Sequence, residues 1–90
     1  MRLALSTDYA LRLLMLLGLE PDRLVTIEEV AARFCISRNH LMKVAYQLGQ
    51  ADYLETVRGR NGGLRLGKAP DHIVVGKVVR TMEPDFAVVE

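Results

Sequence analysis

The stretch Ser37–Leu66, SRNHLMKVAYQLGQADYLETVRGRNGGLRL, decides how the rest of the chain is read. Its first part places Leu41, Val44, Ala45 and Leu48 on one side at helical spacing. The opposite side holds Asn39, Lys43, Tyr46, Gln47 and Gln50, with Arg38 and His40 at the N-terminal end and no carboxylate among them. Ser37 stands where it caps this helix, which is expected to stop around Gly49 to Asp52, with Asp52 left-handed. Leu54–Val57 then predicts a strand and Leu64–Leu66 its partner, with Arg58-Gly59-Arg60-Asn61-Gly62-Gly63 as the tip. Glycines permit positive φ and close backbone approach, but a tip that only has to turn has no use for two arginines.

Charge concentrates around the same stretch. From Cys35 to Lys68 the cations Arg38, Lys43, Arg58, Arg60, Arg65 and Lys68 face only Asp52 and Glu55, a local charge of +4. Residues 1–34 carry −1 and residues 69–90 carry −2, so the formal total of +1 hides a basic centre between acidic flanks. Such a patch is the electrostatic footprint of a surface that binds polyanions.

Upstream, Ser6 or Thr7 is expected to cap a first helix, with Asp8 in the favourable first turn and an end near Gly18. Tyr9, Leu13, Leu16 and Leu17 form one stripe, and Leu11, Leu14 and Met15 spill around it, predicting a core face plus some subunit contact. Thr26-Ile27-Glu28-Glu29 has the pattern of a capping box, in which Thr26 reaches the amide of Glu29 and the Glu29 side chain reaches back. Ile27, Val30, Ala31 and Phe34 give the second helix one apolar face. Cys35 and Ile36 leave so short a connection to Ser37 that the pair of helices is a helix-turn-helix signature. Downstream, Ala69-Pro70-Asp71 breaks the chain, and Ile73 to Met82 predicts a short helix after an extended start, ended by Pro84. The apolar Phe86-Ala87-Val88-Val89 stops at Glu90, which suggests a chain cut short or continued elsewhere.

These elements describe one mainly α domain over residues 1–90 with a small β hairpin, a winged helix-turn-helix. Its helices are expected at about 6–17, 27–34, 38–50 and 74–83, and its wing at about 54–66. Half the residues are apolar, which excludes a disordered chain, and the apolar run Leu13–Leu17 is too short to span a bilayer. The lone Cys35 rules out an intrachain disulfide and, flanked by Phe34 and Ile36, is expected to be a buried, inert thiol. A cytoplasmic protein follows from this usage. Gly62-Gly63-Leu64-Arg65-Leu66-Gly67-Lys68 imitates a phosphate-binding loop, but Ala69 stands where the magnesium-binding hydroxyl belongs. His40 and His72 have no obvious third partner and no carboxylate pair stands out, so no enzyme is expected.

In this geometry the third helix lies in the major groove, with its N-terminal residues nearest the base edges. Arg38 suits guanine and Asn39 adenine, whereas Lys43, Tyr46 and Gln47 suit phosphate or sugar. Arg58 and Arg60 suit backbone contact or the narrow minor groove. The full expected DNA-contacting set is Ser37, Arg38, Asn39, His40, Lys43, Tyr46, Gln47, Arg58, Arg60 and Asn61. The alternative is a winged-helix module used for protein contacts, since the fold itself dictates no function.

Ser37-Arg38-Asn39-His40-Leu41, the wing from Val57 to Leu66, the opening Ser6–Arg12 and the closing Val78–Pro84 carry a resemblance. The chain resembles the NsrR/IscR-type iron–sulfur winged-helix repressors, nearest to the nitric-oxide-sensing branch, over essentially its whole length. The resemblance implies a repressor of a nitric-oxide or iron–sulfur response: a homodimer on a palindromic promoter operator in double-stranded DNA. Members with a 2Fe–2S or 4Fe–4S cluster ligate it with three cysteines after the equivalent of Glu90, before a long dimerising helix. Neither lies within these 90 residues, so the chain as given is expected to hold no cofactor and to dimerise more weakly. It is expected to be either a shortened form or a short member that lacks the cluster. Asp8 matches an acidic residue that completes the cluster across the dimer in some members, a role it takes only if cysteines follow residue 90.

Overall fold

Local capping chemistry sets the starts of the two helices that frame the central turn. In the computed structural model, which describes residues 4–83, the Thr26 hydroxyl accepts from the Glu29 amide at 3.1 Å and opens α2 (Ile27–Phe34). The Ser37 hydroxyl accepts from the His40 amide at 3.3 Å and opens α3 (Arg38–Gln50). Only half of the capping box forms. The Glu29 carboxylate turns away from its own helix start and takes both terminal nitrogens of Arg23, whose Nε–H donates to Glu20 at 3.0 Å. That guanidinium holds the Glu29 carboxyl below the usual carboxylate range.

Between α2 and α3, Cys35 adopts the left-handed conformation at φ +56°, and both its amide and that of Ile36 close on the Ala31 carbonyl. This corrects the expectation of a buried thiol. The left-handed cap swings Cys35 to the surface and sends the neighbouring Ile36 into the core instead.

The first helix, α1 (Leu5–Leu19), departs from its predicted cap. Ala4 is the N-cap and supplies no side-chain bond, while Ser6 and Thr7 lie inside the first turn. A carboxylate from the far end of the chain does the capping. Glu83 Oε2 accepts from the Thr7 hydroxyl at 2.6 Å and from the Ala4 amide at 3.3 Å. Thr7 is fully buried, so Thr7→Val leaves that carboxylate without its hydroxyl donor and is expected to lower stability by about 1–3 kcal/mol. Chemical denaturation of the two proteins, compared at equal slope, measures it. At its other end α1 stops at Leu19, next to Gly18 as expected.

After α3, Asp52 at φ +64° reverses the chain into β1 (Leu54–Val57), which pairs antiparallel with β2 (Gly63–Leu66). Leu54 faces Leu66, Glu55 faces Arg65, Thr56 faces Leu64 and Val57 faces Gly63. Val25 adds a one-residue third rung, exchanging backbone bonds of 3.0 and 2.7 Å with Leu64. The phosphate-loop look-alike is therefore strand β2 and the turn after it, followed by a single 3-10 turn at Pro70–His72 rather than a full helix. An extended Ile73 and Val74 lead into α4 (Val75–Met82). Pro84 and the apolar segment Phe86–Val89 lie outside the described residues.

The core is where α1 meets α4, α3 and β2, and where α3 meets α2, α4 and β1. Leu13, Leu17, Val25, Val30, Leu41, Val44, Leu48 and Val78 are the largest of its fully buried apolar side chains. Burial of each contributes roughly 1.5–3 kcal/mol. The ion pairs among the described residues are all exposed, where solvent screening leaves them little worth, so packing rather than charge holds α3 in place. The outer side of α1 stays uncovered. Leu5, Met15 and Leu19 are exposed, and Leu11, Leu14, Met15 and Gly18 line an apolar groove with Leu66, Pro70, Ile73 and Val75. No helix among the described residues is long and apolar enough to cross a membrane.

Candidate nucleic-acid interface

Because Leu41, Val44, Ala45 and Leu48 are buried against the core, the rest of α3 faces solvent along its length. Asn39, Lys43, Tyr46 and Gln50 are exposed, Tyr46 most conspicuously at 68% of its surface, and Gln47 is half-buried. Ser37 is exposed with its hydroxyl engaged in the cap. His40 sits differently from its neighbours. Half-buried, it packs edge-on against the Tyr9 ring of α1 at 4.8 Å between centroids, so its ring braces α3 against α1.

Arg38 does not extend freely from the helix start. Its Nε–H donates to Glu28 Oε2 of α2 at 2.7 Å, and Nη1 lies 3.3 Å from Met42 Sδ, one turn along α3. The same contact holds the Glu28 carboxyl below its ordinary range. Neither Glu28 nor Met42 stood out in the sequence. Glu28 had the look of an ordinary first-turn acid, and its pairing depends on how α2 and α3 cross, which residue spacing does not reveal. Met42 carried a signal that sequence reading passes over, an i, i+4 relation to Arg38 on an otherwise polar face.

At the wing, the Gly62 amide donates to the Gly59 carbonyl at 3.1 Å, placing Arg60 and Asn61 at the apex of a tight turn. Gly59 takes φ +115°, a conformation that side-chain-bearing residues rarely adopt. Arg58, Arg60 and Asn61 are all exposed, and the two arginines have no carboxylate partner among the described residues. The other cations of the basic centre are more committed. Arg65 pairs across the strands with Glu55 at 2.7 Å, and the Lys68 ammonium lies over the Tyr53 ring at 4.5 Å. The +4 of the sequence thus narrows to Lys43 on α3 and Arg58 and Arg60 on the wing, beside a tethered Arg38. One cleft joins the two elements, lined by the start of α2, by Arg38 and Met42, and by the wing from Thr56 to Leu64.

The metal question rests on Asp8. Its carboxylate accepts from Arg12 Nε–H at 3.1 Å on the surface of α1, and no three His, Cys, Asp or Glu side chains converge among the described residues. These residues alone do not fit an iron–sulfur cluster. A cluster needs several thiolate or imidazole donors.

The chain is similar throughout its length to curated bacterial proteins. It is 53% identical to the HTH-type transcriptional regulator NsrR of Bacillus licheniformis, over all of this chain and 64% of that protein. The NsrR regulators of Bacillus subtilis and Geobacillus kaustophilus are 53% and 50% identical, and each is covered to 62%. The chain therefore spans less than two thirds of the relatives it matches. These relatives are named as transcriptional regulators. Among solved structures, CymR, the global cysteine regulator of B. subtilis, superposes on all of this chain with a TM-score of 0.91 at 24% identity, covering 70% of its own length. IscR of T. potens superposes on 92% of the chain with a TM-score of 0.85 at 25% identity, covering 61% of its own length. These likenesses establish the winged-helix fold. The model of the Rrf2 family, described as iron-dependent transcriptional regulators, matches residues 3–90, and the chain belongs to that family.

Proposed function

We propose that residues 1–90 are the sequence-specific DNA-binding domain of a transcriptional repressor. The observation that carries this is the shared cleft, where the start of a carboxylate-free α3 face meets a wing tip whose two arginines have no carboxylate partner among the described residues. In this reading Arg38 and Asn39 contact base edges in the major groove, and Lys43, Tyr46 and Gln47 contact phosphate or sugar. Ser37 and the adjoining amides face a phosphate at the helix start, His40 supports the position of that start, and Arg58, Arg60 and Asn61 grip the backbone or minor groove.

The partner is a palindromic promoter operator in double-stranded DNA, bound by a homodimer, and the protein works in the cytoplasm. Dimerisation is supported by the uncovered apolar side of α1. A response to nitric oxide, through an iron–sulfur cluster in the whole protein, is supported by the family description and the names of the relatives. Asp8 takes part in such a cluster only alongside cysteines outside these residues.

Fluorescence anisotropy with a labelled random-sequence duplex pool tests the reading. Affinity is expected to fall steeply with salt, with a log–log slope of about −3 per subunit from Lys43, Arg58 and Arg60. A flat salt dependence, or no binding, refutes it in favour of a protein-interaction module.

A further inference from the structure

One acidic residue stands among the basic ones in the cleft between α2, α3 and the wing. Glu28 is exposed in the first turn of α2, where the helix dipole alone would favour an acid. Two observations take it further. Its carboxylate is bonded at 2.7 Å to the first residue of the neighbouring helix, and it lines the same cleft as Arg58, Gly59 and Arg60. Arg38 is thereby held at two points, by Glu28 at Nε and by Met42 at Nη1, while Nη2 has no partner among the described residues.

This mode of attachment has a chemical consequence. A guanidinium anchored in this way keeps Nη2 and the second hydrogen of Nη1 for another ligand, and guanine presents O6 and N7 to such a fork. Fixing a long side chain beforehand also removes rotamer entropy that binding would otherwise have to overcome. The same carboxylate acts oppositely on phosphate. An anion beside the groove-facing end of α3 opposes any polyanion that offers no compensating base contact.

We infer that Glu28 is a positioning residue that sets base selectivity, fixing Arg38 for guanine while opposing phosphate contact at other sequences. This rests on the DNA-reading function proposed above. In it, one acceptor atom and one negative charge do separate jobs, and substitutions separate them.

The test is selection of binding sites from a random duplex pool by the wild type and by Glu28→Ala, Glu28→Gln and Arg38→Ala. Anisotropy titrations on the selected duplex and on a shuffled one follow. The wild type is expected to enrich guanine at a position where Arg38→Ala does not. Glu28→Ala, lacking acceptor and charge, should lose that guanine preference by about fivefold or more and bind the shuffled duplex about twofold tighter. Glu28→Gln keeps an acceptor, so it should show the same tighter binding to the shuffled duplex but retain part of the guanine preference. Full guanine preference in Glu28→Ala overturns the inference. So does a uniform loss of affinity for both duplexes, which marks a purely structural role. A wild type that enriches no sequence overturns the DNA-reading function itself, and the inference with it.

Discussion

The double variant Arg58→Ala, Arg60→Ala is expected to lose affinity for every duplex alike, by about tenfold or more near 0.1 M salt. Its log–log salt slope should be shallower than that of the wild type by about two, one for each lost phosphate contact. Both side chains are exposed at the wing tip and engage no carboxylate among the described residues, so their removal breaks no ion pair and leaves the fold intact. Arg65→Ala supplies the contrast. Arg65 already spends its charge on Glu55 across the hairpin, and its loss should change the slope much less. A parallel salt titration of the three proteins measures the difference. Equal slopes would remove the wing from the backbone-contacting surface.

The second large effect concerns the backbone of that wing. A Cβ added at Gly62 would lie 2.0 Å from the Val57 carbonyl oxygen and 2.9 Å from its carbon, against main chain that has no rotamer to yield. Overpacking by a side chain commonly costs about 1–3 kcal/mol, and a clash with backbone belongs at or above the top of that range. Gly62→Ala is therefore expected to open the turn between Gly59 and Gly62, lower Tm by several degrees and weaken DNA binding although both arginines remain. Gly59 is a different case. Its added Cβ would meet nothing within 4 Å, and the penalty of alanine there comes from φ +115° alone. Thermal melts of the two variants rank the effects, and a Gly62→Ala protein that melts like the wild type contradicts the turn described here.

What the sequence disclosed and what it concealed divide along a physical line. Thr26 and Ser37 act on amides three residues away, and the buried side of α3 follows from helical periodicity, so both were legible in the chain itself. The left-handed Asp52 and the Arg/Gly tip were legible for the same reason, because turn chemistry is local. Contacts between elements were not. The carboxylate that caps α1 comes from Glu83, the acid that tethers Arg38 comes from α2, and the third rung of the sheet comes from Val25. Even Glu29, placed for a local bond, chose Arg23 instead, since a bidentate ion pair is stronger than a single bond to an amide. Cys35 shows the limit in miniature. Apolar neighbours suggest burial, but one left-handed residue reverses the direction in which a side chain points.

The Glu83 cap joins residues 76 positions apart, at the two ends of the described chain. The first turn of α1 and the end of α4 are consequently tied together, and fraying of either end costs the bonds to Glu83. Helix ends are ordinarily the first parts of a domain to exchange their amide hydrogens with water. Here the two helix ends are linked through one carboxylate, whose partner Thr7 lies one residue before Asp8 and two before the Tyr9 ring that packs against His40 of α3.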